Sequence, residues 1–421
     1  PHSGATTSRL GIGAMSFSNF YGEVSREEVF AILDAARDLG VSHIDTASVY
    51  GMGGSERHIG AYLAENPQAR SFFHIASKGG ITDRKDPNRL FNNEAAYLTE
   101  QLDNSLERLG VECIDLYYIH RRDPSVPIEE VTETFAGFIK SGKIGGFGYS
   151  EISPTSLRAA HAVHPVAALQ SEYSLSTRMP ELGILQTCAD LGTTFVAFSP
   201  VGRSLLTDAP HGREAVQSMP FLANNPRFME PNLSMNIKAA AGFRALAAQM
   251  GLTAAGLAIA WCLAKGDHIL PIPGTRNLDH FKALVAGADY GLSAEELAAV
   301  EAALAAAADT VLLYHFSGPV SFGAAKGLAR RVVPGDSHKA LIMDMTDVTF
   351  VDTSASMALQ DIIVKCTGQG LRVYIAGLRE PVERVLIKLA VLDGLPADQR
   401  PSSRLQAIEA ATRNINDNSS H

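Results

Sequence analysis

The chain reads as an α/β protein: a (β/α)8 TIM barrel followed by a second, smaller α/β domain. Three observations predict this. Eight short apolar runs recur across roughly the first 300 residues, with helical stretches between them, as in a barrel of that size. No G-x-G-x-x-G turn follows the first run, which weighs against an open dinucleotide-binding sheet. Beyond residue 310 both the rhythm and the charge change: residues 310–421 hold 12 Lys+Arg against 11 Asp+Glu, whereas residues 1–309 hold 24 against 34.

In order, the barrel strands are expected at "LGIGAM" (10–15), "SHID" (42–45), "FFHIAS" (72–77), "IDLYYI" (114–119), "IGGFGY" (144–149), "VAALQS" (166–171), "TFVAFS" (194–199) and "HILPI" (268–272). Most are apolar on both faces, as strands covered by helices should be. The first helix opens on a capping box, Ser25 with Glu28, and stops at Gly40; another stops at Gly110. "AAGLAIAWCLA" (254–264) has too few apolar residues for a membrane span and reads as a buried helix. The alanine-rich stretch 295–309 predicts a helix running to the domain junction. After it, "VLLYHF", "KALIMDM" and "LRVYIAG" predict strands, while "SMALQDIIVKCTGQG" and "PVERVLIKLAVLDG" predict amphipathic helices. The domains expected are therefore 1–305 and 310–411, with a disordered polar tail at 412–421.

A net charge of −9 makes a nucleic-acid or anionic-membrane partner unexpected, and no direct membrane insertion is expected. The four cysteines are scattered, with no C-x-x-C, so neither a metal site nor a disulfide framework is expected and a reducing cytoplasm fits.

Barrel enzymes place their chemistry at the C-terminal ends of the strands. Those ends carry Asp45, Tyr50 in the loop that follows it, Lys78 and His120. A tyrosine is a poor acid near neutral pH unless a neighbouring ammonium favours its phenolate, and an ammonium is held charged and oriented by a carboxylate. A histidine can then aim a carbonyl oxygen at the phenol. Taken singly, each is better read structurally: Asp45 as a turn residue, Lys78 as a rim lysine and His120 as a loop histidine. Their convergence favours a proton-transfer set.

The segments "GIGAMSFS", "HIDTASVYGMGGSE", "ASKGG", "LYYIHRRDPSVPIEEV", "LQSEYSLSTR", "FVAFSPVGRSLL" and "IPGTRNLDHF" resemble, in order and spacing, the signatures of the aldo-keto reductase family across residues 8–305. The resemblance implies an NADPH-dependent carbonyl reductase acting on a small carbonyl substrate, NADH being less favoured, with Asp45, Tyr50, Lys78 and His120 as the catalytic tetrad. It implies that Ser150 and Gln170 hold the nicotinamide carboxamide and that Tyr173 stacks on the ring. Ser199, Pro200, Gly202, Arg203 and Ser204 match the pyrophosphate loop; Thr275, Arg276 and His280 match the site of the adenosine 2′-phosphate. Two departures stand out: Glu151 replaces a common asparagine, and Ala283 with Leu284 replaces a Glu-Asn pair near adenine. Phe17, Phe20, Tyr21 and Arg121 are candidate substrate-pocket walls, and the insertion 205–236 is a substrate lid or a surface loop.

In the second domain, "MDMTDVTFVDTSASMALQDI" (343–362), with "FSGPVSFGAA" before it and "GLRVYIAG" after it, resembles a STAS domain of the sulfate-permease tail type. Locally, Asp352, Thr353 and Ser354 read as a helix N-cap. The resemblance places Ser354 near a position phosphorylated in related antagonist proteins, and implies a protein partner for this domain. A second class stays open: a non-catalytic, NADPH-sensing regulatory subunit that docks to an anion transporter or another STAS partner.

Overall fold

The structure is a computed structural model that describes residues 7–82, 90–308, 311–320 and 338–418. It divides into two compact units, Pro1–Ala303 and Leu304–His421. In the first, eight parallel strands pair in sequence order: β1 (Gly11–Gly13), β2 (His43–Asp45), β3 (His74–Gly79), β4 (Leu116–Ile119), β5 (Phe147–Ser150), β6 (Ala168–Glu172), β7 (Thr194–Phe198) and β8 (Ile269–Ile272). The seam between β8 and β1 is drawn together by Gly13 N donating to Pro273 O at 2.9 Å. Only glycine fits at 13, since a Cβ would lie 2.6 Å from the Ile272 carbonyl oxygen. Ala76, Tyr118, Ala168, Val196, Leu270 and Ile272, from β3, β4, β6, β7 and β8, form one buried apolar cluster, the packed interior expected of a barrel.

All eight strands occur where the apolar runs predict them, with shifted starts. Phe72 ends a short helix, Ala69–Phe72, so β3 begins at His74. Gly145 lies against the Asp115 carbonyl, where a Cβ would meet the oxygen at 2.9 Å, and regular pairing of β5 begins at Phe147. The helix Arg26–Asp38 carries the complete Ser25–Glu28 capping box. Ala95–Leu109 ends on left-handed Gly110. Nine residues of Ala254–Ala264 are buried, which explains its apolarity on every side. Among the described residues no single helix is long and apolar enough to cross a membrane.

The insertion 205–236 is ordered into short helices, Arg213–Gln217, Pro220–Ala223 and the start of Asn232–Ala239. Leu205, Val216, Met219, Leu222, Phe228 and Leu233 give it a small core of its own, against which Tyr21 and Phe221 pack.

In the second unit β9 (Val311–Val320), β10 (Ala340–Val351) and β11 (Arg372–Ala376) form a parallel sheet in the order β11-β10-β9. The period of two along β10 separates its faces. Ala340 and Ile342 meet Ala407 and Ala411 of the helix Arg404–Asn418; Leu341 and Met343 join Leu359, Ile362, Val382 and Leu386 of Thr353–Gly368 and Glu380–Lys388. The polar tail departs from the expected disorder. Anchored by Ala407 and Ala411, the last helix continues to Asn418. The stretch that follows "FSGPV" lies outside the described residues, as do the last three residues.

Candidate active site

Parallel pairing sets the C-terminal ends of β2, β3 and β4 side by side, which brings Asp45, Lys78 and His120 together although they are far apart in sequence. Lys78 is fully buried and donates to Asp45 Oδ1 and, at 2.9 Å, to Thr46 O. The other Asp45 oxygen accepts from Gln170 Nε2 at 2.7 Å. The Lys78 ammonium lies 5.2 Å from the centre of the Tyr50 ring, and His120 meets that ring edge-on at 5.8 Å.

Burial pushes the Tyr50 phenol above its ordinary pKa, and Lys78 and Arg121 oppose that rise without overcoming it. The expected lowering by the ammonium is therefore present but outweighed, so Tyr50 stays protonated at neutral pH. Burial, Lys78 and Arg121 all hold His120 well below the usual histidine range, so its imidazole is neutral. Among the described residues its Nδ1 is buried without a hydrogen-bond partner.

A cavity of about 600 Å³ is lined by Arg121, the residue after His120, and by Glu151, Glu172, Phe198 and Arg203, among others, but by none of the four clustered side chains. Arg121 donates one NH1 to His120 O (2.7 Å) and to Ser150 Oγ (2.9 Å), which ties β4 to β5. Glu151 has a left-handed φ of 58°, a conformation that asparagine adopts more readily, and its Oε1 accepts from Ser171 Oγ and Glu172 N. Burial alone would raise Glu172, but Arg227 and Arg203 hold it below the usual carboxylate range. Arg227, from the insertion, meets Glu172 at 2.7 Å.

The strand β7 leads into a run of left-handed residues, Ser199, Gly202, Arg203 and Ser204, with Pro200 buried between them. Such a turn gathers backbone N–H groups into an anion-binding concavity. Arg203 Nε is buried there without a partner. Thr275 Oγ1 accepts from Asn277 N, and His280 stands exposed in the first turn of Leu278–Asp289. Arg276 is engaged elsewhere: its guanidinium donates to the carbonyls of Tyr21 (2.9 Å), Gly22 (3.2 Å) and Glu23. Leu284 is buried, and Ala283 backs onto Gly256, so neither replaces the polar pair they stand for.

Several expected residues fall elsewhere. Tyr173 is fully buried between Phe195 and Trp261, with its hydroxyl donating to Glu181 at 2.9 Å. Phe198, at the end of β7 and missed in the sequence, is the aromatic that faces the cavity; its place in "FVAFSP" was the available signal. Phe17 is also fully buried, whereas Phe20 sits 6.3 Å from the Tyr50 ring and Tyr21 5.1 Å from Phe221. In the second unit Asp352 caps the helix, its Oδ1 accepting from Ala355 N, and Ser354 is half-buried in the first turn.

Two family models match the chain: the aldo/keto reductase family over residues 9–305 and the STAS domain over 302–402. Aldo-keto reductase str7 of Strobilurus tenacellus is 39% identical over 298 residues, which span 69% of this chain and 85% of that one. Aldo-keto reductase yakc [NADP(+)] of Schizosaccharomyces pombe is 36% identical over 281 residues, 66% of this chain and 82% of its own. Among solved structures, the glycerol dehydrogenase AKR11B4 from Gluconobacter oxydans superimposes with a TM-score of 0.63 at 28% identity, covering 72% of this chain and 93% of that one.

Proposed function

From the premise that the chain belongs to the aldo/keto reductase family, we propose that it reduces an aldehyde or ketone to an alcohol with NADPH, Tyr50 serving as proton donor. The observation that carries this reading is the buried Asp45–Lys78 pair beneath Tyr50 and His120 at adjoining strand ends.

The residues present suit a dinucleotide. The left-handed turn 199–204 and the orphaned Arg203 Nε suit a pyrophosphate, and Ser150 a carboxamide. Phe198, rather than Tyr173, offers a flat face to the nicotinamide. Arg276 and His280 bring basic side chains to a helix start, which suits a 2′-phosphate; Thr275 precedes them. The NADP(+) in the name of the yeast relative points the same way. When bound, the cofactor supplies the hydride.

The chain's own residues handle the proton. Tyr50, kept protonated by burial, gives its proton to the carbonyl oxygen. Lys78, oriented by Asp45, steadies the phenolate left behind. Neutral His120 donates a hydrogen bond to the same oxygen and aims it at the phenol. Phe20 and Tyr21 wall the substrate side.

Purified protein should oxidise NADPH in the presence of aldehydes, and Tyr50→Phe should lower turnover by roughly 10²- to 10⁴-fold while retaining cofactor affinity. Equal turnover in the variant would remove Tyr50 from the role; tight NADPH binding with no turnover on any carbonyl would favour the regulatory-subunit reading instead. The four free cysteines suit a reducing cytoplasm. The second unit, matched by the STAS model, is read as an interaction domain that localises or regulates the reductase. A phosphate on Ser354, at a helix start, would favour docking of a basic partner. Mass spectrometry of protein from its native host tests that directly, and its consistent absence there would end the idea.

A further inference from the structure

Within the reading just given, one cation has no task. Four ionised side chains line the cavity: Arg121, Arg203, Glu151 and Glu172. Arg203 and Glu172 pair with each other at 3.4 Å, and Glu172 takes Arg227 as well. The Glu151 carboxylate is turned to the backbone and hydroxyl of β6, and forms no ion pair with Arg121. Among the described residues Arg121 has no carboxylate within ion-pair distance; only NH1 is engaged, with His120 O and Ser150 Oγ.

Those two bonds fix the guanidinium on the residue next to His120, and its charge is felt by both Tyr50 and His120. Among the described residues the remaining donors, Nε and NH2, make no hydrogen bond. The cavity that Arg121 lines also has an apolar stretch, from Ile152, Pro154, Met179, Leu182 and Ile184, beside the polar Ser171 and Thr177. A planar fork of donors lining a cavity that also has an apolar stretch, one residue from the group that would orient a carbonyl, matches a ligand with an apolar body and a carboxylate.

We propose that Arg121 selects the substrate: the reductase prefers aldehydes and ketones that carry a carboxylate on an apolar frame, and Arg121 binds that carboxylate. Arg121 is thus a specificity residue acting on substrate, distinct from the proton-transfer set.

The test compares 4-carboxybenzaldehyde with its methyl ester in wild-type, Arg121→Gln and Arg121→Lys protein. The ratio of the two kcat/KM values within each variant cancels any general damage to His120 or Ser150. We expect wild-type protein to favour the acid by roughly 10- to 100-fold, the worth of a charge-assisted hydrogen bond. Arg121→Gln should bring the ratio close to one, and Arg121→Lys should keep part of it. A wild-type ratio near one, or a ratio unchanged in Arg121→Gln, overturns the proposal. Calorimetric titration with 4-carboxybenzyl alcohol against its methyl ester gives a second readout free of turnover. Acid-selective binding that is lost in Arg121→Gln upholds the assignment even if no aldehyde is reduced, in which case only the reductase reading falls. Binding that ignores the carboxylate overturns it.

Discussion

Asp45 is held by both oxygens: Lys78 takes Oδ1, and Gln170, 125 residues along the chain, donates to Oδ2 at 2.7 Å. All three side chains are buried, so no water replaces a missing partner cheaply. The family resemblance gives Gln170 to the nicotinamide, yet its amide nitrogen is already spent on the carboxylate that orients Lys78. Gln170→Leu should leave Asp45 Oδ2 unsatisfied, cost ~1–3 kcal/mol in stability, and lower kcat by about 100-fold as Lys78 loses its orientation. Gln170→Glu should fare worse, because it sets a second carboxylate against Asp45. Steady-state rates and urea midpoints decide this; a variant that loses cofactor affinity with kcat intact would return Gln170 to cofactor binding alone.

The insertion reaches Tyr50 through a relay of aromatic edges. Phe221 meets Phe20 at 6.0 Å and Tyr21 at 5.1 Å, and Phe20 meets Tyr50 at 6.3 Å. This arrangement favours a substrate wall over a loose surface loop. Phe221→Ala removes two aromatic contacts worth ~0.5–1.5 kcal/mol each. KM for aromatic aldehydes should therefore rise, with kcat little changed, as when binding common to ground and transition states is lost. A fall in kcat at constant KM would show instead that the insertion acts on the chemistry.

The barrel was legible because most strands are apolar on both faces and helix ends carry signals such as the start-marking capping box at Ser25 and the left-handed stop at Gly110. Strand starts were less so, since Phe72 and Phe73 suit either a strand or the end of a helix. The acid, ammonium, phenol and imidazole were legible because a parallel barrel collects strand ends whatever separates them in sequence. Side-chain direction was not. Tyr173 and Phe198 both stand near strand ends, and only tertiary packing sends one toward Trp261 and the other to the cavity. Arg276 shows the same limit, because its three carbonyl partners come from a loop more than 250 residues away.

That engagement of Arg276 sets up a competition. A guanidinium that grips a 2′-phosphate must exchange some of its bonds to Tyr21, Gly22 and Glu23, which lie beside the Phe20 wall. Arg276→Met should weaken NADPH by roughly 10- to 100-fold, the loss of a charge-assisted contact, and change NADH far less. Fluorescence titration with both cofactors measures this, and equal losses for the two would remove Arg276 from phosphate recognition. Faster amide exchange at residues 21–23 in the variant would report the loosened loop.

At the opposite end of β2, His43 gives the barrel a pH dependence of its own. Its ring is buried, and burial above all lowers its pKa to about 4, while Asp45 and Asp115 pull the other way and His74 and Lys78 add to the fall. The unfolded chain takes up a proton near pH 6.5 that the folded chain refuses until about pH 4. This stabilisation is complete above the unfolded pKa and is lost as pH falls through that window. Between pH 7.5 and 5 the histidine should cost the fold about 2 kcal/mol. Trp261 is the sole tryptophan and lies in the barrel, so its fluorescence in urea reports that unit alone. Wild-type protein should lose more stability across this range than His43→Gln, in which no proton is bound at that position in either state. Parallel pH curves for the two proteins would mean that His43 takes up its proton in the folded barrel much as in the unfolded chain, and would leave any shared acid sensitivity to other buried groups such as His120 and His211.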